Sequence, residues 1–167
     1  MQFQKSTIID APVERVWAEV AHNFAEVGQW SSAVADSGPN PDARVPEGAT
    51  VGGRVCATPG FGDLKETFTQ YSEADTEFTF QVSGMPSFIT LAQNHVTVRP
   101  AGRDRSEVTL NITLETNAVG KIMGPMFAVK LRQTLNTYLV ELTNYIERGE
   151  VSKKKAKQLA KLAAATA

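Results

Sequence analysis

Few side chains in this sequence could carry out chemistry, and their spacing narrows the choice. Glu66 lies two residues from both Leu64 and Phe68. On a strand these three share a face, so if the apolar pair points inward the carboxylate does too. An interior carboxylate can exchange a proton with a bound molecule or anchor one of its polar groups, but it needs a partner. Arg54, on the preceding strand, is the partner available if the role is structural; an edge position in water is the other bland reading. Asn94 is in phase with Ala92, Val96 and Val98, and could orient a ligand carbonyl or hydroxyl, or be satisfied by backbone or buried water. His95 has the opposite parity and reads as a surface imidazole rather than a general base. Cys56 reads as a small buried hydrophobe, with no histidine close in sequence to activate it. This single cysteine cannot make an internal disulfide, and with only His22 and His95 beside it a structural zinc site lacks ligands. No metal or cofactor is expected. A phosphate-binding Gly-rich loop, a dinucleotide fingerprint and a nucleophile elbow are all missing from the sequence.

Those residues need a frame. Residues 2–9 suit a strand, and Asp10-Ala11-Pro12 reads as the start of a helix in which Pro12 occupies the first turn, where its missing N–H costs nothing. Val13, Val16, Trp17 and Val20 then recur at helical spacing, and the helix is expected to end near Phe24. A second short helical stretch holds Val27 and Trp30. Ser37 to Gly53, with three prolines and four glycines, reads as a long loop around a short edge strand. From Val51 to Thr116 the pattern predicts five strands, near 51–58, 64–72, 76–83, 88–99 and 106–116, joined by short turns as in an antiparallel meander. Alternation is clearest in the last, where Val108, Leu110, Ile112 and Leu114 share one face. After Thr116 the period returns to 3.6, and Phe127, Leu131, Leu135, Tyr138, Leu142 and Ile146 form one stripe of a helix ending near Arg148-Gly149. Burying that stripe is worth on the order of 10 kcal/mol gross, so this helix must pack across the sheet. Ile122, Met126 and Val129 lie on roughly the opposite side, and Gly124-Pro125 is a place for a kink. The result is an α+β fold, a curved sheet wrapped around a long C-terminal helix, with room for a cavity between.

The 167 residues, 42% hydrophobic and 21% charged, suit one self-folding domain. Lys5 and Asp10 interrupt what a secretory signal needs, and no apolar run approaches the ~20 residues of a membrane span, so a cytoplasmic location is expected. The net charge of −1 hides an asymmetry: residues 1–150 carry 12 basic and 18 acidic side chains, whereas 151–167 carry five lysines and no acid. An acidic body without a basic stripe is a poor match for a phosphate backbone, so nucleic-acid binding by the folded domain is not expected. The tail, with Leu159 and Leu162 between its lysines, is too poor in apolar residues for firm membrane binding and reads as solvated and partly disordered. Residues 1–150 are therefore taken as the domain and 151–167 as a Lys/Ala-rich tail.

The opening STIIDAPVERVWAEVAHNFAEVGQWSSAVADSG resembles that of the START-like, Bet v 1-like (SRPBCC) superfamily, in its bacterial polyketide cyclase/dehydrase and lipid transport branch. The alanine-proline step before Val16-Trp17, the tryptophan at Trp30 and the strand leaving from Ala33 match in register. VGGRVCAT, LKETFTQYSEAD, SGMPS and GKIMGPMFAVKLRQTLNTYLVELTNYIERGE follow in the same order. The resemblance covers residues 3–150, without the stretch Pro39 to Gly48 and the tail. It implies the helix-grip fold, a seven-stranded sheet gripping the long helix, with two short helices after the first strand and a mostly apolar pocket. It further implies that Glu66 is a polar anchor in that pocket, that Asn94 lines it, and that the loops bearing Phe61 and Met85 close over a ligand, with Met126 also at the mouth. Phe68, Phe78, Phe80, Phe88, Leu110 and Ile112 then supply apolar lining, although the same side chains could fill a solid core. Tyr138 could turn its hydroxyl to the pocket or simply pack. The expected function is the binding of a small hydrophobic, lipid-like or polyketide-like ligand. Two alternatives stand beside it: an aromatase/cyclase-type enzyme with Glu66 as its interior acid or base, and an interaction module that uses the mouth and the Ile122, Met126 and Val129 face to bind a protein or a second copy of the chain.

Overall fold

The computed structural model describes residues 1–166, apart from the side chains of Met123 and Pro125. Seven strands form one antiparallel sheet: β1 (Gln2–Ile9), β2 (Asp36–Pro39), β3 (Gly53–Thr58), β4 (Gly62–Ser72), β5 (Glu77–Ser83), β6 (Ile89–Pro100) and β7 (Ser106–Thr116). The order across the sheet is β1-β7-β6-β5-β4-β3-β2, so β3 to β7 run as a meander and β1 closes on β7. Strand β7 alternates as expected, with Val108, Leu110, Ile112 and Leu114 all buried. Two irregularities reset the alternation elsewhere, between Phe68 and Gln70 in β4 and between Ile89 and Leu91 in β6. The first lets both Phe68 and Tyr71 reach the inner side, where their rings lie 5.5 Å apart.

Helix α1 (Val13–Trp17) is shorter than the period suggested. Pro12 occupies the capping position just before it rather than the first turn. The chain then widens into one π turn over Ala18–His22 and tightens into a 3₁₀ turn over Phe24–Gln29. The apolar stripe survives these changes of pitch: Val16, Trp17, Val20, Phe24, Val27 and Trp30 are all buried.

The long helix α2 (Ala118–Arg148) runs through Gly124-Pro125. Its start is capped by Asn117, whose side-chain oxygen accepts from the Val119 and Gly120 amides at 3.0 and 3.2 Å. It stops at Gly149, which adopts the left-handed conformation (φ 68°) that favours glycine. Leu135, Leu142 and Ile146 of the expected stripe are buried together with Leu139, while Phe127, Leu131 and Tyr138 are partly buried. On the far side Ile122, Met126 and Val129 stand 85%, 72% and 54% exposed. Among the described residues no helix is long and apolar enough to cross a membrane.

Residues 151–166 correct the expectation of a solvated tail. Lys153–Ala165 form a helix, α3, whose Lys155 is fully buried. Ser152 caps it by accepting from the Lys155 amide at 3.2 Å. The lysine stem and Gln158 turn toward the domain, which composition alone disguises because the exposed lysines of α3 look the same in sequence.

Candidate functional site

Between the inner face of the sheet and α2 lies a cavity of about 230 Å³. Each neighbouring element supplies part of its wall. Alternate residues of β5 and β7 (Phe78, Phe80, Val82; Leu110, Ile112, Leu114) face it from the sheet, and Leu131, Leu135 and Leu142 close it from α2. Ala33 and Val34, on the segment leading into β2, complete one side. Period-2 alternation on the strands and 3.6 on the helix aim these side chains at the same space.

The polar groups are few and concentrated. Arg54 on β3 stands directly opposite Glu66 on β4. Gly53 lets the strands come this close, since a β-carbon there would fall 2.0 Å from the Glu66 carbonyl oxygen. Arg54 Nε donates to Glu66 Oε2 at 2.6 Å, with the side chains only 7% and 12% exposed. Its Nη1 donates to the Phe24 carbonyl at 2.9 Å, and the guanidinium carbon sits 3.9 Å from the centre of the Phe24 ring. Burial is the largest single influence on Arg54 and would lower its pKa, but the Glu66 charge and hydrogen bond, with Cys56 and Tyr138 nearby, together hold it above the usual arginine value. Cys56, also on the wall, has its thiol pushed up to about 12 by burial. It is therefore a neutral group near neutral pH. Tyr138 lies on the wall with its ring 4.9 Å from that of Trp30. Burial raises its pKa, with Arg54 opposing and Glu66 adding to the rise.

Asn94 on β6 also lines the cavity. Its Oδ1 is buried without a hydrogen-bond partner among the described residues. An amide oxygen left in that state costs roughly 1–3 kcal/mol, so this position favours an occupant that brings a donor.

Seven of the residues singled out from sequence converge on this cavity: Glu66, Asn94, Phe78, Phe80, Leu110, Ile112 and Tyr138. Phe61 and Met85, from the β3–β4 and β5–β6 turns, also reach its wall. Phe61 packs edge-on against Phe127 at 6.2 Å, and Lys130 Nζ lies 5.4 Å from its ring centre. Three others do not line it. Phe68 is buried among aromatic rings, 4.5 Å from Phe24 and 5.1 Å from Phe78, so Phe24 takes the place at the wall. Phe88 sits before the β6 irregularity, with its ring against Phe127 at 6.1 Å. Met126 falls on the solvent side of α2, one residue and about 100° from Phe127. His95 is on the outer side of the sheet as its parity required, half-buried and 3.0 Å from the Thr79 hydroxyl.

Arg54, Lys130 and Thr134 are wall residues that the sequence reading did not place there. Arg54 was legible, because the tight Thr58–Gly62 connection fixes the register that sets it against Glu66. Thr134 and Lys130 could have been found from helical spacing, lying one turn from Tyr138 and Thr134 respectively.

A sheet that grips one long helix and keeps an apolar chamber between them defines the helix-grip class of the START-like superfamily. The chain belongs to the family described as polyketide cyclase/dehydrase and lipid transport, which it matches over residues 1–147. No curated protein sequence matches it. Among solved structures it resembles a START superfamily protein from Mycobacterium smegmatis, with a TM-score of 0.67 at 13% identity, covering 89% of this chain and 99% of that one. It also resembles the Zhui aromatase/cyclase from Streptomyces, with a TM-score of 0.67 at 12% identity, over 91% and 99% of the two chains. The protein XoxI from Bacillus cereus gives a TM-score of 0.67 at 16% identity, over 90% and 99%. At these identities the likeness is one of fold.

Proposed function

We propose that this protein binds a small, mainly apolar molecule in the cavity between the sheet and α2. The observation that carries the reading is the unpartnered Asn94 Oδ1 in a mainly apolar chamber. Apolar contact supplies the affinity, and Asn94 with the Arg54–Glu66 pair supplies orientation. At about 230 Å³ the chamber lies just below the ~300–1,000 Å³ of most small-molecule sites, so the occupant is compact. A short acyl chain or a small ring system of lipid-like or polyketide-like character, carrying a hydroxyl or other donor, meets these requirements. A cytoplasmic setting is part of the proposal, motivated by a core that relies on apolar packing rather than disulfides.

An aromatase/cyclase activity is the second reading, favoured by the family and by a charged pair on the chamber wall. It asks for a group free to move a proton. Glu66 is already engaged by Arg54 and the Cys56 thiol is held neutral, so binding is better supported than turnover.

Native mass spectrometry of the purified protein, with identification of any small molecule released on denaturation, tests the proposal. A co-purifying apolar compound is the expected result. For that compound, Asn94→Ala should weaken binding about tenfold, the scale of one buried hydrogen bond, and Glu66→Gln should weaken it further or abolish turnover. A protein that is empty and takes up no Nile red would overturn the binding reading.

A further inference from the structure

The segment between the 3₁₀ turn and β2 has no place in the sheet until Ala35, whose amide donates to the Ala57 carbonyl at 2.8 Å. Backbone polar groups in such a buried, irregular stretch must find partners elsewhere. Here they find them on the two C-terminal helices. The Ser32 amide donates to Glu141 Oε2 of α2 at 2.8 Å. Gln158 Nε2 of α3 donates to the Ser32 carbonyl at 3.1 Å. Lys155 Nζ donates to the Val34 and Ala35 carbonyls at 2.8 and 3.1 Å. Ser152, which caps α3, donates to the other oxygen of Glu141 at 2.6 Å and so ties the two helices together at this point.

Val34, held in this way, and Ala33, which lies between it and the held Ser32, form part of the cavity wall. The helix that holds them lies beyond residue 147, where the family match ends. We propose that α3 is a clasp on the cavity: Lys155 and Gln158 fix the Ser32–Ala35 wall, and undocking of α3 frees that wall for ligand exchange. Lys155 is then a positioning residue, acting on the ligand only through the backbone it holds. The gating half of the proposal rests on the binding function proposed above; the clasp itself rests on the hydrogen bonds.

Two full-length variants test it. Lys155→Met keeps most of the buried stem and removes the donors to Val34 and Ala35; Gln158→Leu removes the donor to Ser32 without touching a charge and serves if the first does not fold. Val98→Ala, a buried core change away from the cavity wall, reports what general destabilisation does. The readouts are hydrogen exchange of the Ser32–Ala35 amides and the dissociation rate of Nile red. The expected result is about tenfold faster exchange in that segment and a similar rise in the Nile red rate for Lys155→Met, a smaller rise in both for Gln158→Leu, and neither for Val98→Ala at matched stability. Segment exchange unchanged in both α3 variants, or raised equally by Val98→Ala, would overturn the clasp. Faster segment exchange with an unchanged Nile red rate would overturn the gating. Failure of the wild-type protein to bind Nile red would strike the binding function and the gating, while amide exchange would still decide the clasp.

Discussion

Arg54 and Lys155 are both buried cations, and the fold holds them in different ways. Arg54 faces the cavity with a carboxylate at 2.6 Å. Lys155, at the clasp, donates to two backbone carbonyls. Their pKa values move in opposite directions. Glu66, with Cys56 and Tyr138 beside it, keeps Arg54 above its ordinary value despite burial, whereas burial lowers Lys155, with Asp36 and Glu141 opposing but not offsetting it. An arginine paired with a carboxylate is a permanent dipole on the wall of the chamber, whereas a lysine whose direct partners are backbone carbonyls carries its charge conditionally. The first suits a fixed binding surface, the second a contact that can be released.

The largest loss expected in either region comes from taking the carboxylate away from Arg54. Glu66→Leu leaves the guanidinium buried without a carboxylate, with the Phe24 carbonyl and ring as its main remaining contacts, and should cost about 3–5 kcal/mol in urea unfolding. The double variant Arg54→Met with Glu66→Leu should recover most of that loss, because what is expensive is the unpaired charge rather than the absence of the pair. A cost below about 1 kcal/mol for Glu66→Leu alone would show that water reaches Arg54 and that the wall is not dry.

A gentler handle on the same comparison is pH. Because the folded-state pKa of Lys155 is depressed, the unfolded chain binds its proton more readily than the folded one. Stability contributed at this site is therefore fully present above the ordinary lysine value and is lost as pH falls through the depressed value. The charged and titratable neighbours to consider are Asp36 on β2 and Glu141 on α2. Unfolding measured in parallel for wild type and Lys155→Met should show the wild-type advantage growing as pH rises through that window. Arg54 should contribute no such slope, and an advantage that stays flat or shrinks would mean that Lys155 is not buried as a charge.

Much of this frame could be read from the sequence, and the losses have physical reasons. Strict alternation located β7 and its buried face, and Gly149 marked the end of α2, because each depends on a local rule. Glu66 and Asn94 reached the cavity by the same parity argument. Phe68 was misplaced because the irregularity after it draws Tyr71 and Phe24 into a shared aromatic cluster, an outcome of packing between elements. Helical spacing put Met126 opposite the apolar stripe, where it is exposed, and only the mouth position implied by the family resemblance differs, because the cavity wall near the start of α2 is carried by Phe127, Lys130 and Leu131. Lys155 was hidden most completely. Lysine is almost never fully buried, its neighbours are lysines as well, and the carbonyls that hold it lie 120 and 121 residues away.

The smallest expected effect lies outside both regions and shows what exposure does to the same chemistry. Glu73 accepts hydrogen bonds from Trp17 Nε1 at 2.9 Å and the Tyr71 hydroxyl at 2.8 Å, and pairs with His22 at 2.9 Å. Burial would raise its pKa, but the bonds from Trp17, Tyr71 and His22 together bring it below the ordinary glutamate value. Its contribution is thus present above that ordinary value and lost as pH falls through the depressed one. Because the carboxylate side chain is 46% exposed, solvent screens these interactions, and Glu73→Gln should cost no more than about 1 kcal/mol near neutral pH. The loss should fade in acid, where the native carboxylate is protonated as well. A cost approaching that of Glu66→Leu would break the rule drawn from Arg54 and Lys155, since the number of hydrogen bonds at a charge, rather than its removal from water, would then set the energy.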